Sequence, residues 1–246
     1  CGGRGACGKC KVIVNPAGEP SDADISMLSS EEIEQGIRLA CTTVIHRDLR
    51  VILPQALERA KILTESKPLS EYRVHADGAE GEYGVAIDIG TTTVVAYLLD
   101  LKNGTQLGQT ACLNPQIVYG EDVMSRITYS LENEGGGRQL QQGIVERIDK
   151  MLTDLCRQTS VDSLSVSRVT AVGNTAMHHL FLGIDTKSLG YTPYMPTVFD
   201  ATEFSAENIG IRSLSSAQVY CPPNISGFVG GDTVAFILSQ RFDESE

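Results

Sequence analysis

The chain has 246 residues, of which 41% are apolar and 21% charged, and its net charge is −11. This composition is that of a globular protein, and the excess of acid argues against a nucleic-acid partner, because phosphate-backbone binding depends on clustered Lys and Arg. The longest apolar runs, such as Val94 to Leu99, are far shorter than the roughly 20 residues of a membrane helix, so no membrane partner is expected.

The beginning of the sequence bears on location and on completeness. No basic segment followed by an apolar stretch is present, so the cytoplasm is the expected location. Cys1 is not Met and already belongs to the metal pattern described below, whereas a ferredoxin fold needs strands before its cluster loop. We therefore expect the chain to be truncated at this end.

Residues 1–53 are predicted to form a first domain. A β-type run from Lys11 to Val14 follows the cysteine loop, and Leu49 to Leu53 is predicted to be a closing strand. Between them, Ser29 precedes two glutamates and indicates the start of a short helix. Residues 54–82 are polar and contain Pro, Gly and Ser, which is typical of a linker.

Four cysteines, Cys1, Cys7, Cys10 and Cys41, have the spacing C-x5-C-x2-C-x30-C, close to that of plant-type [2Fe-2S] ferredoxins. Three thiolates on one glycine-rich loop would hold one side of the cluster, and the fourth would close the other side. A structural zinc site is the alternative, but zinc ribbons pair two C-x-x-C knuckles and the grouping here is three plus one. The pattern predicts a [2Fe-2S] cluster and one-electron transfer.

From Tyr83 the sequence alternates between strand and helix patterns, which is typical of an α/β domain over residues 83–246. The predicted strands are Val85–Ile89, Val94–Asp100, Gln106–Leu113, Arg168–Val172 and a short one near Val219. The predicted helices are Asp122–Leu131, Arg138–Thr159, Thr175–Leu182 and Gly231–Gln240.

The turn between the first two of these strands is the main candidate for phosphate binding. Asp88 at the strand end can hold Mg²⁺ through water, and Gly90 lets a phosphate approach the backbone. The hydroxyl and N–H groups of Thr91, Thr92 and Thr93 can hold its oxygens. No Gly-Lys-Ser/Thr follows, so this is not a Walker loop; it looks like the first phosphate motif of the acetate kinase, sugar kinase, Hsp70 and actin superfamily. Ordinary turn chemistry is the alternative.

Two later segments are weaker candidates for nucleotide contacts. Gly173-Asn174-Thr175 lies at a strand-to-helix junction, where either an anion site at the helix N-terminus or an ordinary Asn cap is expected. Gly230-Gly231-Asp232 opens the last helix, and we favour a functional role there, with Asp232 as a second catalytic carboxylate.

The remaining cysteines and two adjacent histidines are interpreted as core residues. Cys112, Cys156 and Cys221 are scattered singly, and free Cys packs like a small hydrophobe. His178 and His179 lie in an apolar helix pattern and are expected to be packed rather than metal ligands.

Several segments together resemble one family, the reductive activators of corrinoid-dependent enzymes. These segments are CGGRGACGKC, IRLAC ending in Cys41, YGVAIDIGTTTVVAYLLDL, LNPQIVYGEDVMSRITY, AVGNTAMHHLFLG and ISGFVGGDTVA. The resemblance implies an α+β part and an α/β part: a partial β-grasp [2Fe-2S] ferredoxin domain, then the first half of an actin-like (RNase H-like) ATPase domain.

The resemblance also implies a function, which is ATP-dependent return of a corrinoid from Co(II) to Co(I). The implied cofactors are a [2Fe-2S] cluster, ATP and Mg²⁺, and the implied partners are a corrinoid protein or methyltransferase and a reduced electron donor, with a homodimer left open. Plant-type clusters lie near about −400 mV, so the transfer would be uphill without ATP. The family continues with a second D-x-G motif beyond Glu246, so this chain by itself is not expected to turn over ATP.

Two other functions stay open at this point. One is a ferredoxin-type electron carrier with a nucleotide-binding regulatory domain, and the other is an activator of a radical dehydratase or reductase. The NPQIVYGEDVMSR segment receives no chemistry from its sequence. Asp122 and Arg126 stand at i and i+4 within it, which is the spacing of a helix salt bridge; the alternative is that they lie near the nucleotide or at an interface.

Overall fold

The structure, a computed structural model, describes residues 5, 6, 8, 10–53 and 83–240. These residues belong to two compact units, one within Cys1–Lys61 and the other within Ile62–Glu246. The predicted linker, residues 54–82, lies outside the described residues. None of the helices in the described ranges combines the length and the apolar character that crossing a membrane requires.

The first unit is a three-stranded antiparallel sheet with two short helices. Its strands are β1 Lys11–Asn15, β2 Ile37–Leu39 and β3 Arg50–Ile52, and its helices are α1 Asp22–Met27 and α2 Ser30–Glu34. In the sheet, β1 lies between β2 and β3.

Capping boxes start both helices of this unit. Ser29 exchanges hydrogen bonds with Glu32 at the start of α2, which confirms the cap predicted there. Ser21 and Asp24 form the same arrangement at the start of α1, a helix the sequence analysis did not predict. The buried Asp24 carboxylate also accepts a hydrogen bond from Leu39 N at 2.7 Å, so α1 is tied to the strand that leads to Cys41.

The second unit contains a six-stranded sheet. Its strands are β4 Tyr83–Ile89, β5 Thr93–Asp100, β6 Gln106–Leu113, β7 Val166–Val172, β8 Thr202–Ser205 and β9 Gln218–Cys221. Its helices are α3 Val123–Glu132, α4 Gly136–Thr159, α5 Thr175–Leu182, α6 Lys187–Gly190, α7 Ala206–Ile209 and α8 Gly231–Gln240. The predicted strands and helices are confirmed to within two residues at their ends, while β8 and the short α6 and α7 were not predicted.

The strand order is β6-β5-β4-β7-β9-β8. The first three strands are antiparallel, β7 runs parallel to β4, and β9 runs parallel to β7. This order and these directions are those of the actin-like, RNase H-like fold. The carboxyl ends of β4, β7 and β9 therefore meet at one edge of the sheet, which is where open α/β sheets bind ligands.

Helix α4 packs against one face of the sheet and supplies much of the core. The apolar stripe predicted on it is confirmed, since Ile144, Val145, Ile148, Met151, Leu152, Leu155 and Cys156 are all buried. The strands supply the opposing layer from alternate positions: Val85, Ile87 and Ile89 on β4, and Val94, Ala96 and Leu98 on β5. This packing leaves Asp88 on the other face of β4, where it is exposed.

Candidate functional site

Two of the four predicted cluster ligands lie within the described residues. The Sγ atoms of Cys10 and Cys41, from segments 31 residues apart in sequence, are 3.2 Å apart. Partial burial and the adjacent Cys10 sulfur raise the pKa of the Cys41 thiol, which is the expected result when thiols face each other without a cation. Cys1 and Cys7 lie outside the described residues, and within the described part no three His, Cys, Asp or Glu side chains form a metal-sized group.

The backbone around these thiols needs glycine. Gly5 and Gly8 have φ angles of +70° and +65°, in the left-handed region that L side chains rarely adopt. A backbone hydrogen bond from Gly5 lowers the pKa of the Cys41 thiol, in opposition to the effects above. Facing sulfurs, a loop that only glycine can form and a backbone donor to sulfur all fit an iron–sulfur cluster.

The second candidate site lies where three loops meet at the carboxyl edge of the large sheet. Gly230, which lies just before α8, packs directly against the loop after β7. A Cβ placed on Gly230 would lie 2.5 Å from Thr175 N and 2.6 Å from Gly173 O. A Cβ on Gly173 would lie 2.9 Å from Ile89 O, at the end of β4. Asp232 N donates to Gly173 O at 3.2 Å. The structure thus brings together the three segments that the sequence analysis singled out separately.

The two carboxylates predicted to be catalytic lie close to each other. Partial desolvation, and then the negative charge of Asp232, raise the pKa of Asp88 above its usual value. Burial and the charge of Asp88 in turn raise the pKa of Tyr97, which lies on β5. Neighbouring carboxylates of this kind favour a divalent cation, because the cation removes their mutual repulsion. The residues present therefore fit a hydrated Mg²⁺.

The turn between β4 and β5 is tight. A Cβ on Gly90 would lie 2.7 Å from Thr93 O, so only glycine fits this position. Thr91 Oγ1 accepts a hydrogen bond from Asn174 Nδ2 at 3.2 Å, which links the turn to the loop after β7. The roles assigned to Gly90, Thr91, Thr92 and Thr93 in phosphate binding stay predictions.

The Asn174 side chain confirms the cap expected at the start of α5, and the anion site stays a prediction. Its Oδ1 accepts from Met177 N at 3.0 Å and caps α5, while its Nδ2 faces the turn. Thr175 is fully buried and its hydroxyl donates to Ser226 O at 2.6 Å. What Thr175 can offer a ligand is therefore its backbone N–H rather than its hydroxyl.

The residues interpreted as core residues are mostly packed as expected. His179 is fully buried, with Nδ1 donating to Thr175 O and Nε2 accepting from Thr197 N. His178 is also buried, with Nδ1 accepting a hydrogen bond from Asn224 Nδ2 at 3.0 Å, and burial lowers its pKa to about 4, so the ring is neutral at neutral pH. Cys156 and Cys221 are buried, but Cys112 is only half-buried, because it lies near the end of β6, an edge strand of the sheet.

Sequence reasoning missed some residues that shape this site. Tyr97 lies in the apolar strand β5 and was not identified from the sequence. The register of the β4–β5 hairpin places it two residue pairs from Asp88. Asn114 and Gln116 are almost fully buried, and Arg126 is completely buried. Of these residues, the sequence analysis named only Arg126, and its burial was not expected.

Two family models match the chain. The model described as the RACo middle region matches residues 83–245, and the model of the 2Fe-2S iron-sulfur cluster binding domain matches residues 1–46. The match to the 2Fe-2S domain ends five residues after Cys41 and so includes all four predicted ligands.

Two curated relatives and a solved structure are similar to the chain. The corrinoid activation enzyme RamQ of Eubacterium limosum is 27% identical over 299 residues, covering 99% of this chain and 50% of RamQ. The [Co(II) methylated amine-specific corrinoid protein] reductase of Methanosarcina barkeri is 27% identical over 169 residues, covering 65% of this chain and 30% of that protein. A solved reductive activator for corrinoid,iron-sulfur protein covers the whole chain with a TM-score of 0.65 and 26% identity.

The chain spans about half the length of RamQ and 53% of the solved activator. The cysteine spacing, the sheet topology and these similarities agree on the fold, which is a [2Fe-2S] ferredoxin-type domain together with an actin-like α/β domain.

Proposed function

Because the chain belongs to the RACo middle region family, we propose that its protein is an ATP-dependent reductive activator of a corrinoid protein. The reaction is the transfer of one electron to the corrinoid, which converts Co(II) to Co(I), and a separate reduced electron donor restores the activator. RamQ and the Methanosarcina reductase, whose names specify corrinoid activation and Co(II) reduction, support this choice.

The proposal assigns residues 1–53 to the electron-carrying domain, 54–82 to a linker and 83–246 to the ATPase domain. A [2Fe-2S] cluster held by Cys1, Cys7, Cys10 and Cys41 supplies the one-electron chemistry. The contact between the Cys10 and Cys41 sulfurs supports this ligand set.

The observation that carries the ATP-dependent part is the convergence of three loops beside two carboxylates. Gly90, Gly173 and Gly230 are each so closely packed that a Cβ would meet backbone atoms within 3 Å. Because these glycines carry no Cβ, the three loops approach one another closely at one end of the sheet, where their backbone N–H groups can be directed to phosphate oxygens. Asp88 and Asp232 would hold Mg²⁺, and the N–H groups of Thr91 to Thr93 would bind phosphate oxygens.

The role of ATP is to make an unfavourable electron transfer proceed. A plant-type cluster near about −400 mV does not by itself reduce a corrinoid that requires a lower potential. Nucleotide that binds one conformation more tightly than another shifts the populations of the activator–corrinoid complex. The chain's own contribution would be to hold the phosphates between its three loops and so link nucleotide binding to that shift.

The deciding experiment follows the visible spectrum of a Co(II) corrinoid protein under anaerobic conditions. It uses the complete protein, meaning residues 1–246 with any sequence that flanks them in the reading frame, loaded with its cluster and supplied with a reductant. Reactions contain Mg·ATP, a non-hydrolysable ATP analogue or no nucleotide. We expect the Co(I) band only with Mg·ATP, and its loss in Asp88→Ala and in Cys41→Ser.

Two other results would change the assignment. Equal Co(I) formation without nucleotide would make the protein a simple electron carrier whose second domain has another role. The absence of Co(I) under all conditions, with cluster content verified, would refute corrinoid reduction and direct the search to radical dehydratases or reductases. Cys156→Ala is the matched control for Cys41→Ser, because Cys156 is buried in the core of the second unit.

A further inference from the structure

The NPQIVYGEDVMSR segment, whose sequence indicates no chemistry, contacts the turn between β4 and β5 through three successive carbonyl groups. Asn114 Nδ2 donates to Gly90 O at 2.8 Å. Arg126 Nη2 donates to Thr91 O, and Asn114 N donates to Thr92 O at 2.9 Å. Each carbonyl of the Gly90-Thr91-Thr92 turn thus accepts a hydrogen bond from Asn114 or Arg126. We name Asn114, Gln116 and Arg126 the carbonyl clamp.

The clamp is built from polar groups buried against one another. Arg126 is completely buried, and Asn114 and Gln116 are each 1% exposed. Arg126 Nε donates to Gly120 O at 2.8 Å, and its Nη1 donates to Gln116 Oε1 at 3.2 Å. Gln116 Nε2 donates to Leu140 O at 3.1 Å, which anchors the clamp on α4.

The chemistry of the guanidinium explains why an arginine occupies this position. Its planar fork presents donors in fixed directions, and here they reach Thr91 O, Gly120 O and Gln116 Oε1 at once. A lysine ammonium has no such fork. Burial lowers the pKa of Arg126 to about 10, against the opposing effect of the Asp122 charge, so the group stays protonated at neutral pH. Asp122 itself caps α3, accepting from Ser125 N at 2.7 Å.

The direction of the carbonyls fixes the direction of the N–H groups. In a planar trans peptide the C=O and the following N–H point in opposite directions. With the carbonyls of residues 90, 91 and 92 bonded to Asn114 and Arg126, the N–H groups of Thr91, Thr92 and Thr93 each point away from the donor that holds the preceding carbonyl.

We propose that the carbonyl clamp positions the Gly90–Thr92 turn for nucleotide, so that Arg126 and Asn114 determine ATP affinity without touching ATP. This inference rests on the proposed nucleotide site. It makes Arg126 and Asn114 positioning residues, acting through the turn, and gives the NPQIVYGEDVMSR segment a role in the ATPase domain.

The test measures the dissociation constant of Mg·ATP by calorimetry for the complete protein and for two variants, Arg126→Lys and Asn114→Ser. Arg126→Lys keeps the positive charge but loses the fork. Asn114→Ser removes the donor to Gly90 O but keeps an oxygen that can accept from Gln116 N. Each variant should bind Mg·ATP at least about 10-fold more weakly, as expected for loss of one well-formed hydrogen bond to the turn.

A second measurement separates positioning from general destabilisation. Leu155→Ala is the control, because Leu155 is buried in the same core at the opposite end of α4, near Gly108. It should lower the melting temperature while leaving the Mg·ATP dissociation constant unchanged. Hydrogen exchange of the ligand-free proteins should quicken at residues 90–93 in the clamp variants and not in Leu155→Ala. Asn114→Ser leaves Arg126 in place, so the test remains decisive if Arg126→Lys does not fold.

The outcomes distinguish this inference from the proposed function. If the unsubstituted protein binds Mg·ATP and a folded clamp variant binds it equally well, the clamp is overturned and the nucleotide site stands. An equal loss of affinity in Leu155→Ala also overturns it, because the effect would then follow stability alone. If the unsubstituted protein does not bind Mg·ATP, both the nucleotide site and the clamp are refuted.

Discussion

At the scale of single residues, the candidate nucleotide site depends on a carboxylate that the fold makes less acidic. Asp88 stands at the carboxyl end of β4, opposite Val95 and beside Val172 in the sheet. Partial desolvation and the charge of Asp232 raise its pKa. The folded protein without Mg²⁺ therefore carries an electrostatic cost at neutral pH that a bound cation would remove.

Asp88→Asn should consequently stabilise the metal-free protein at pH 7. Below its usual pKa of 3.8, the Asp88 carboxyl is protonated in both the folded and the unfolded state, so the variant is no more stable than the unsubstituted protein there. Its advantage in stability grows as the pH rises through the raised pKa of the folded state. Because solvent screens this exposed group, we expect the free energy of unfolding to rise by less than about 1 kcal/mol. Thermal unfolding between pH 3 and 8 checks this.

Magnesium and a surface control complete this test. Added Mg²⁺ should raise the melting temperature of the unsubstituted protein and not that of Asp88→Asn. Asp200→Asn, which removes the same charge from an exposed loop, should show no such difference. A destabilised Asp88→Asn at pH 7 would contradict the assignment.

A second residue-scale prediction concerns the close approach at Gly230. Gly230→Ala places a Cβ 2.5 Å from Thr175 N and must push two of the three loops apart. We expect lower stability, by about 1–3 kcal/mol as for overpacking elsewhere, and loss of Mg·ATP binding. Calorimetry and denaturant unfolding measure the two effects.

Gly143→Ala is the matched control for this substitution. Gly143 lies within α4, and nothing is within 4 Å of a Cβ placed on it. The change should stabilise the protein by about 0.5–1 kcal/mol, because alanine favours the helix, and leave nucleotide affinity unaltered. Wild-type Mg·ATP affinity in Gly230→Ala would show that the two loops can separate without harm to the site.

At the scale of elements, the start of α5 combines a helix cap with a contact to the turn between β4 and β5. Asn174 Oδ1 caps the helix and Asn174 Nδ2 reaches Thr91 Oγ1. The two roles are separable, because an aspartate can provide the first and not the second.

Asn174→Ala should lose both roles and cost about 0.5–2 kcal/mol of stability. Asn174→Asp should keep the cap and nearly all of the stability, yet bind Mg·ATP at least about 10-fold more weakly, since a carboxylate repels phosphate and cannot donate to Thr91. Denaturant unfolding and calorimetry on both variants check this pattern.

Asp162→Ala provides the control for this pair. Asp162 caps the short 3₁₀ helix Ser163–Ser165, which precedes β7 and so lies at the opposite edge of the sheet. The Asp162→Ala variant should be less stable than the unsubstituted protein, and its affinity for Mg·ATP should be unchanged. If Asn174→Asp binds Mg·ATP normally, Asn174 is only a cap.

At the scale of the whole molecule, the two units are expected to have separable chemistry. Cys41→Ser should abolish the visible absorption of the cluster and bring iron content close to zero, while Mg·ATP binding is unchanged. Asp88→Ala should have the reverse effect. Iron analysis and calorimetry on the same preparations check both, and loss of Mg·ATP binding in Cys41→Ser would show that the units do not act independently.

The sequence by itself determined the local chemistry of this protein. The spacing of Cys7, Cys10 and Cys41 predicted the cluster domain that the family model also identifies, and the apolar period of α4 predicted its buried side. Such features are readable because each depends on residues within one strand, turn or helix. The positions of the helices and strands followed for the same reason, except in short elements such as β8.

Only the tertiary structure decided which distant groups meet. The approach of Gly230 to Thr175 follows from β4, β7 and β9 running parallel and ending at one edge. The contact of Arg126 with Thr91 O joins residues 35 positions apart, which the local spacing of Asp122 and Arg126 does not indicate. A guanidinium is polar in any sequence, and only the surrounding fold buries it against the carbonyl groups of Thr91 and Gly120.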